Sequence, residues 1–232
     1  MSGTILITGC NRGIGLEMCA QFAEIGWKVL ACCREPEKAV ELEVLQQRYP
    51  SSIQLIRLDV TDYEQMISLG KAFQGEPIDI LLNNAGYYGP KGVGFGSVDR
   101  GEWRRVLESN TIAPYMMAET FCENVAASEH KLIAVMSSKV GSIADNRSGG
   151  GYIYRTSKAA VNQVVKSLSI DLEPRGITVL TLHPGWVKTA MGGPGALISA
   201  EESVAGIKRL LLAANLAKTG RFFNYDGAEI PW

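Results

Sequence analysis

Residues 4–15 read Thr4-Ile5-Leu6-Ile7-Thr8-Gly9-Cys10-Asn11-Arg12-Gly13-Ile14-Gly15, and the reading of this stretch decides the fold. Residues 4–7 are an apolar, β-branched run of the kind that forms a buried strand. A loop with three glycines follows. Leu16, Cys19, Ala20 and Ala23 then recur at helical spacing, until Gly26 stops the pattern. A glycine loop between a strand and a helix suits a pyrophosphate. Backbone N–H groups at the helix N-terminus face the anion, and glycines let the chain approach it closely. The spacing is G-x-x-x-G-x-G, not the G-x-G-x-x-G of the standard fingerprint. Alone, such a loop also serves as a plain strand–helix turn. At the head of an alternating pattern it points to a dinucleotide.

That alternation continues along the chain. Further strands are predicted at 28–33, 53–58, 78–82, 132–136, 177–182 and 221–224. Helices are predicted at 36–49, 63–73, 99–108, 111–127, 152–172 and 200–213. Strands alternating with helices predict an α/β fold: a parallel sheet covered on both faces. No repeat, linker or low-complexity segment divides residues 1–232, so the reading is one domain. In such sheets ligands bind beyond the carboxyl ends of the strands. The glycine loop, Arg34, Asp59, Asn84, Ser138 and Pro184-Gly185 all fall at such ends.

The second strand bears on which dinucleotide is bound. An acidic residue at its end would hydrogen-bond a ribose 2′-OH, whereas here the strand ends in Cys33-Arg34. Arg34 and Arg12 can clamp a 2′-phosphate, which favours NADP over NAD. Asp59 can accept from an adenine amine or cap the next helix. Ser138 is a donor to a substrate oxygen or a turn former. Asn110 reads equally as a helix cap.

Tyr154-Arg155-Thr156-Ser157-Lys158 opens the helix predicted at 152–172. Tyr and Lys four apart share one helical face. A free phenol titrates near pH 10, too high for acid–base work at neutral pH. A fixed ammonium beside it favours the phenolate, and a shift of about 3 units needs roughly 4 kcal/mol. Such a tyrosine gives a proton to a carbonyl oxygen or takes one from an alcohol. By itself the pair also fits an ordinary solvated helix surface.

Composition narrows the classes. Hydrophobic residues make up 46% of 232, and the formal net charge is -1. No basic excess suggests nucleic acid, and no apolar run reaches the ~18 residues of a membrane span. The chain enters its first strand without a charged leader, so the expectation is a cytoplasmic protein. Five cysteines without a CxxC pair fit reduced thiols, with Cys10 expected to meet solvent. His130 and His183 have no metal-ligand spacing, so no metal is expected.

Taken together, Thr8 to Gly15, Asp59-Val60, Asn83-Asn84-Ala85-Gly86, Asn110, Ser138, Tyr154 with Lys158, and Pro184-Gly185 with Val187 and Thr189 resemble the short-chain dehydrogenase/reductase family, in family order and over nearly the whole chain. The stretches 141–146, 154–160, 183–189 and 226–232 are similar to sniffer-type carbonyl reductases and bacterial C-factor proteins. The resemblance implies a Rossmann-type, doubly wound, seven-stranded parallel sheet and metal-free hydride transfer. It implies NADP(H) held by Gly9, Asn11, Arg12, Gly13, Ile14, Gly15, Arg34, Asp59, Val60, Asn84, Ala85, Gly86, Tyr154, Lys158, Pro184, Gly185, Val187 and Thr189. It implies Tyr154 as acid–base, Lys158 lowering its pKa, Ser138 orienting the substrate oxygen, and Asn110 holding a relay water. The expected activity is reduction of aldehydes, ketones or quinones by NADPH. The alternative is a catalytically silent NADP-sensing or signalling protein. Relatives pair through two long helices, so a homodimer or homotetramer is expected, with Met116, Met117, Phe121 and Val165 as interface or core. Loops 87–96, 141–152 and 188–199 would surround the substrate. They and the adjoining Trp186 bring Tyr87, Tyr88, Phe95, Trp186, Met191 and Leu197, a lining that suits an apolar or aromatic carbonyl compound.

Overall fold

The apolar run near the N-terminus forms β1, Thr4–Thr8, in a computed structural model that describes residues 2–232. Ile5, Leu6 and Ile7 are wholly buried, as both faces of a parallel strand require. The other strands are β2 (Lys28–Cys33), β3 (Ile53–Arg57), β4 (Ile80–Asn83), β5 (Leu132–Met136), β6 (Thr178–His183) and β7 (Phe222–Asn224). They form a seven-stranded sheet in the order β3-β2-β1-β4-β5-β6-β7, with every adjacent pair parallel. This is the doubly wound Rossmann-type arrangement. The order reverses between β1 and β4, which opens a crevice at their carboxyl ends.

The helices are α1 (Gly13–Glu24), α2 (Val40–Arg48), α3 (Tyr63–Ala72), α4 (Arg100–Leu107), α5 (Ala113–Ala126), α6 (Tyr152–Asp171) and α7 (Ala200–Leu212). Side chains alternate across the sheet with the two-residue period of a strand. Ile5, Ile7, Val29 and Ala31 pack on one face with Met18 and Phe22 of α1 and Val204 and Ile207 of α7. Leu6, Leu30 and Leu81 pack on the other with Met117 and Phe121 of α5 and Val161 and Val165 of α6. Met117, Phe121 and Val165 are therefore core residues, while Met116 is half-buried against them.

Three local expectations are corrected. The helix expected at 36–49 is a short tight turn, Pro36–Lys38, then a break at Ala39 before α2. The helices expected at 99–108 and 111–127 are not separate. A widened turn, Glu108–Ile112, joins α4 to α5 without leaving helical geometry, so Asn110 is not a cap. Cys10 does not meet solvent. Its thiol turns under the glycine loop and donates to the Ile7 carbonyl at 3.0 Å. Burial, with Cys19 and Cys32 alongside, pushes that thiol well above its ordinary range.

Candidate active site

Thr8 and the glycine loop close the crevice from the β1 side. The Thr8 hydroxyl accepts from the backbone N–H groups of Asn84 and Ala85, each at 3.0 Å. The Asn84 amide donates back to the Thr8 and Gly9 carbonyls at 2.8 and 3.2 Å. Asn84 thus holds the loop as well as lining the crevice. A Cβ on Gly15 would lie 2.2 Å from the Gly9 carbonyl oxygen, so only glycine fits where α1 begins. Gly13 takes φ +56°, and a Cβ there would stand 3.2 Å from the Thr189 methyl group. Thr189, from the segment after β6, therefore lies against the N-terminus of α1. Arg12 leads into α1 without a side-chain cap, and no acidic residue occupies the first turn. Asn11 and Arg12 are exposed beside it, and Ile14 is half-buried.

This cradle fits a dinucleotide. Its uncapped N–H groups suit an anion, and it has no space for Cβ atoms. Arg12 and Arg34 are exposed, and neither makes an ion pair or side-chain hydrogen bond among the described residues. Asp59 is not the helix cap. Asp62 caps α3 by accepting from Gln65 N, while Asp59 Oδ1 accepts from Thr61 N at 2.9 Å. Val60, Ala85, Thr8 and Ser109 line one depression beside it.

The opposite wall is α6. Lys158 is 4% exposed, and its ammonium donates to the Met136 carbonyl at the end of β5, at 2.8 Å. Burial lowers its pKa to about 8. A Cβ on Gly86 would meet both Asn110 Oδ1 (3.4 Å) and Lys158 Nζ (3.8 Å), so these three residues converge. Gly141 approaches α6 so closely that a Cβ would fall 2.7 Å from that of Lys158.

The Lys158 nitrogen stands 5.6 Å from the centroid of the Tyr154 ring. The Tyr154 phenol is nevertheless raised, not lowered, from its ordinary value. Burial dominates, and Tyr88 adds to it. The phenol is thus not lowered overall: desolvation is the largest cause of its shift and raises it.

Asn110 is 1% exposed, and both of its amide hydrogens are used. Its amide donates to the Tyr87 carbonyl (2.9 Å) and Ser157 Oγ (3.0 Å), and its oxygen accepts from Tyr87 N (2.8 Å).

The two serines after β5 differ in their surroundings. Ser137 is buried and donates to Asn162 at 2.6 Å. Ser138 is half-buried at the strand end, and its hydroxyl accepts from Val140 N at 3.4 Å. Pro184 and Gly185 follow β6, with the Pro184 carbonyl accepting from Ser203 Oγ at 2.5 Å. Val187 is buried and bridges to Ile198. The segment 186–198, the candidate lid, folds on itself, with the Trp186 indole donating to the Gly192 carbonyl at 2.8 Å.

Of the residues foreseen from sequence, Gly9 meets Ala85, Gly13 meets Thr189, and Gly86 meets Asn110 and Lys158, beside the Tyr154 ring. Sequence reasoning missed the hydroxyls of Thr8 and Ser157 and the close approach at Gly141. A β-branched hydroxyl closing the first strand was the available signal for Thr8; Ser157 and Gly141 carried none.

Residues 3–196 match the family model described as short chain dehydrogenase. The chain belongs to the short-chain dehydrogenase family. This short-chain dehydrogenase is 41% identical over 156 residues to the C-signal of Myxococcus xanthus, covering 67% of this chain and 93% of that protein. Carbonyl reductase Sniffer of D. melanogaster superposes with a TM-score of 0.93 at 34% identity, over all of both chains. An NADPH-bound carbonyl reductase from chicken fatty liver superposes with a TM-score of 0.92 at 30% identity, covering 100% and 99% of the two chains.

Proposed function

We propose that this short-chain dehydrogenase is an NADPH-dependent reductase of aldehydes, ketones or quinones, built as one domain over residues 1–232, with Tyr154 as its acid–base group. The observation that carries the reading is the convergence of Tyr154, Lys158, Asn110 and Gly86 beside a cradle shaped for a dinucleotide. Similarity to an NADPH-bound carbonyl reductase supports the choice of cofactor.

NADPH would supply the hydride when bound. The cradle at Gly9, Gly13 and Gly15 would hold its diphosphate, with Arg12 and Arg34 on the 2′-phosphate. Thr189, Val187, Pro184 and Gly185 would close over its nicotinamide end, and Asp59 and Val60 would flank its adenine. Asn84, Ala85 and Gly86 would line the floor.

Ser138 donates to the substrate oxygen and fixes its position. Tyr154 gives its proton to that oxygen as negative charge develops there. A raised phenol pKa keeps the proton on Tyr154 at neutral pH, which suits the reductive direction. Lys158 stabilises the phenolate left behind, since its ammonium is largely charged below about pH 8. Protons return through Lys158 and a water held at Asn110. The exposed Tyr88, Phe95, Ile143, Met191 and Leu197 lie on the 87–96, 141–152 and 188–199 loops and favour an apolar or aromatic substrate. Tyr87 is turned away from it, donating to Glu102 on α4 at 2.8 Å.

The test is direct: NADPH oxidation is followed against a panel of quinones, aromatic aldehydes and aliphatic ketones. Turnover of at least one class supports the reading. Similarity to the C-signal favours a second reading, an NADP-sensing or signalling protein on the same fold. NADPH binding without oxidation by any member of the panel would move the balance to it. A cytoplasmic homodimer or homotetramer remains the expected form, tested by gel filtration.

A further inference from the structure

The ring of Tyr88, on the loop after β4, stacks on the ring of Tyr154, with centroids 4.4 Å apart and planes 27° from parallel. At that separation the rings are in van der Waals contact, and no atom of solvent or ligand fits between them. One face of the Tyr154 ring is therefore covered by this chain's own aromatic side chain. Tyr88 is itself 37% exposed, so it is not simply part of the core.

Tyr88 is held in turn by Lys91. The Lys91 ammonium lies 5.8 Å from the Tyr88 centroid, within reach of a cation–π contact. The same nitrogen donates to the Met191 carbonyl at 3.1 Å. Met191 precedes Gly192, whose carbonyl accepts the Trp186 indole N–H. A line of contacts thus runs from the lid, through Lys91 and Tyr88, to the phenol. Lys91 makes no ion pair among the described residues, so the Met191 contact faces no carboxylate competing for the ammonium.

We propose that Tyr88 is a positioning residue that clamps the Tyr154 ring from one face, and that Lys91 ties this clamp to the lid at Met191. The proposal rests on the reading of Tyr154 as the acid–base group. With the lid down, Lys91 holds Tyr88 against the ring, and the phenol oxygen is restricted to one direction. When the lid lifts, the clamp loosens. Alignment for proton transfer is then coupled to lid closure.

The titratable and charged groups around the Tyr154 ring are few. Tyr88 and Lys91 come from the 87–96 loop, and Lys158 from the ring's own helix. Asn110 and Ser138, from the α4–α5 turn and the end of β5, bring no charge. Removing Tyr88 exposes the phenol to water and lowers its pKa toward the ordinary value, because burial and Tyr88 are what raise it.

The full chain is labelled with ¹³C-tyrosine. The Tyr154 resonances are assigned as those lost in Tyr154→Phe, and ring mobility is compared in Tyr88→Ala, Tyr88→Phe, Lys91→Met and the double variant Tyr88→Ala/Lys91→Met. Reduction of 9,10-phenanthrenequinone by NADPH is followed against pH in the same proteins. In Tyr88→Ala the Tyr154 ring becomes mobile and kcat falls about tenfold with KM for NADPH little changed. Its alkaline limb moves to lower pH, since the phenol ionises sooner. Tyr88→Phe keeps the stack and restores the wild-type ring and rate. Lys91→Met gives a smaller loss, and the double variant is no worse than Tyr88→Ala, as one line of contacts requires. Unchanged ring mobility in Tyr88→Ala overturns the clamp. So does a higher kcat/KM there, which would make Tyr88 a plug. Additive losses in the double variant overturn the tie to Lys91. A mobile ring with an unchanged rate and pH profile confirms the clamp while refuting Tyr154 as the acid–base group.

Discussion

The Lys158 ammonium donates a 2.8 Å hydrogen bond to the Met136 carbonyl, joining α6 to the end of β5 beneath the site. Burial lowers this lysine from its ordinary value to about 8. The folded chain therefore binds fewer protons than the unfolded chain between about pH 8 and pH 10.5, and stability rises with pH across that window. Below about pH 8 the burial penalty is present in full. Lys158→Met should remove this slope and leave the protein as stable or up to about 3 kcal/mol more stable at pH 7, by urea denaturation. Turnover should fall by about two orders of magnitude or more, because the phenolate loses its nearest cation.

Thr8 staples the loop after β4 to the glycine loop through two hydrogen bonds accepted by one oxygen. Thr8→Val keeps the shape and leaves both N–H groups without that acceptor. We expect a loss of about 1 to 3 kcal/mol in urea denaturation and weaker NADPH binding by fluorescence. Unchanged values of both would show that water replaces the hydroxyl.

Arg34 stands exposed at the end of β2 with no ion-pair partner among the described residues. Arg34→Asp places a carboxylate where a 2′-phosphate would lie and where a ribose 2′-OH could be bound instead. Preference for NADPH over NADH, measured as the ratio of kcat/KM values, should fall by about two orders of magnitude. An unaltered ratio would remove Arg34 from the cofactor site.

His183 ends β6 with its Nδ1 buried and without a hydrogen-bond partner among the described residues. Burial, with Lys139 nearby, lowers its pKa to about 4, while Asp226 partly opposes them. As pH falls from 6.5, the unfolded imidazole takes up a proton before the folded one does. Stability is lost between about pH 6.5 and pH 4, by about 3 kcal/mol. His183→Leu should flatten that part of the stability–pH curve, and an equal decline in both proteins would contradict this assignment.

The sheet was legible because its signals are local. Residues 4–7 are apolar on both faces, the glycines follow at once, and each later strand repeats the pattern. The site was legible to the extent that strand ends collect ligands, which brought Arg34, Asp59, Asn84 and Ser138 to the right edge. What was not legible depends on tertiary contact. Cys10 sits among glycines and polar residues, but a hydrogen bond to Ile7 turns it inward. Asn110 reads as a cap, yet bonds to Tyr87 and Ser157 hold it inside a continuous helix with a widened turn. The Tyr154 phenol is raised by burial and by Tyr88, whose ring stacks on it from sixty-six positions away in sequence, and no spacing rule reaches that far.

The central claim is that the Tyr154 hydroxyl moves the proton. Tyr154→Phe deletes that one oxygen and keeps the ring stacked on Tyr88. The decisive measurement is NADPH-dependent carbonyl reduction by this variant, alongside its NADPH affinity. The account predicts kcat lower by about 10² to 10⁴ with cofactor binding nearly unchanged; full activity in Tyr154→Phe would contradict it.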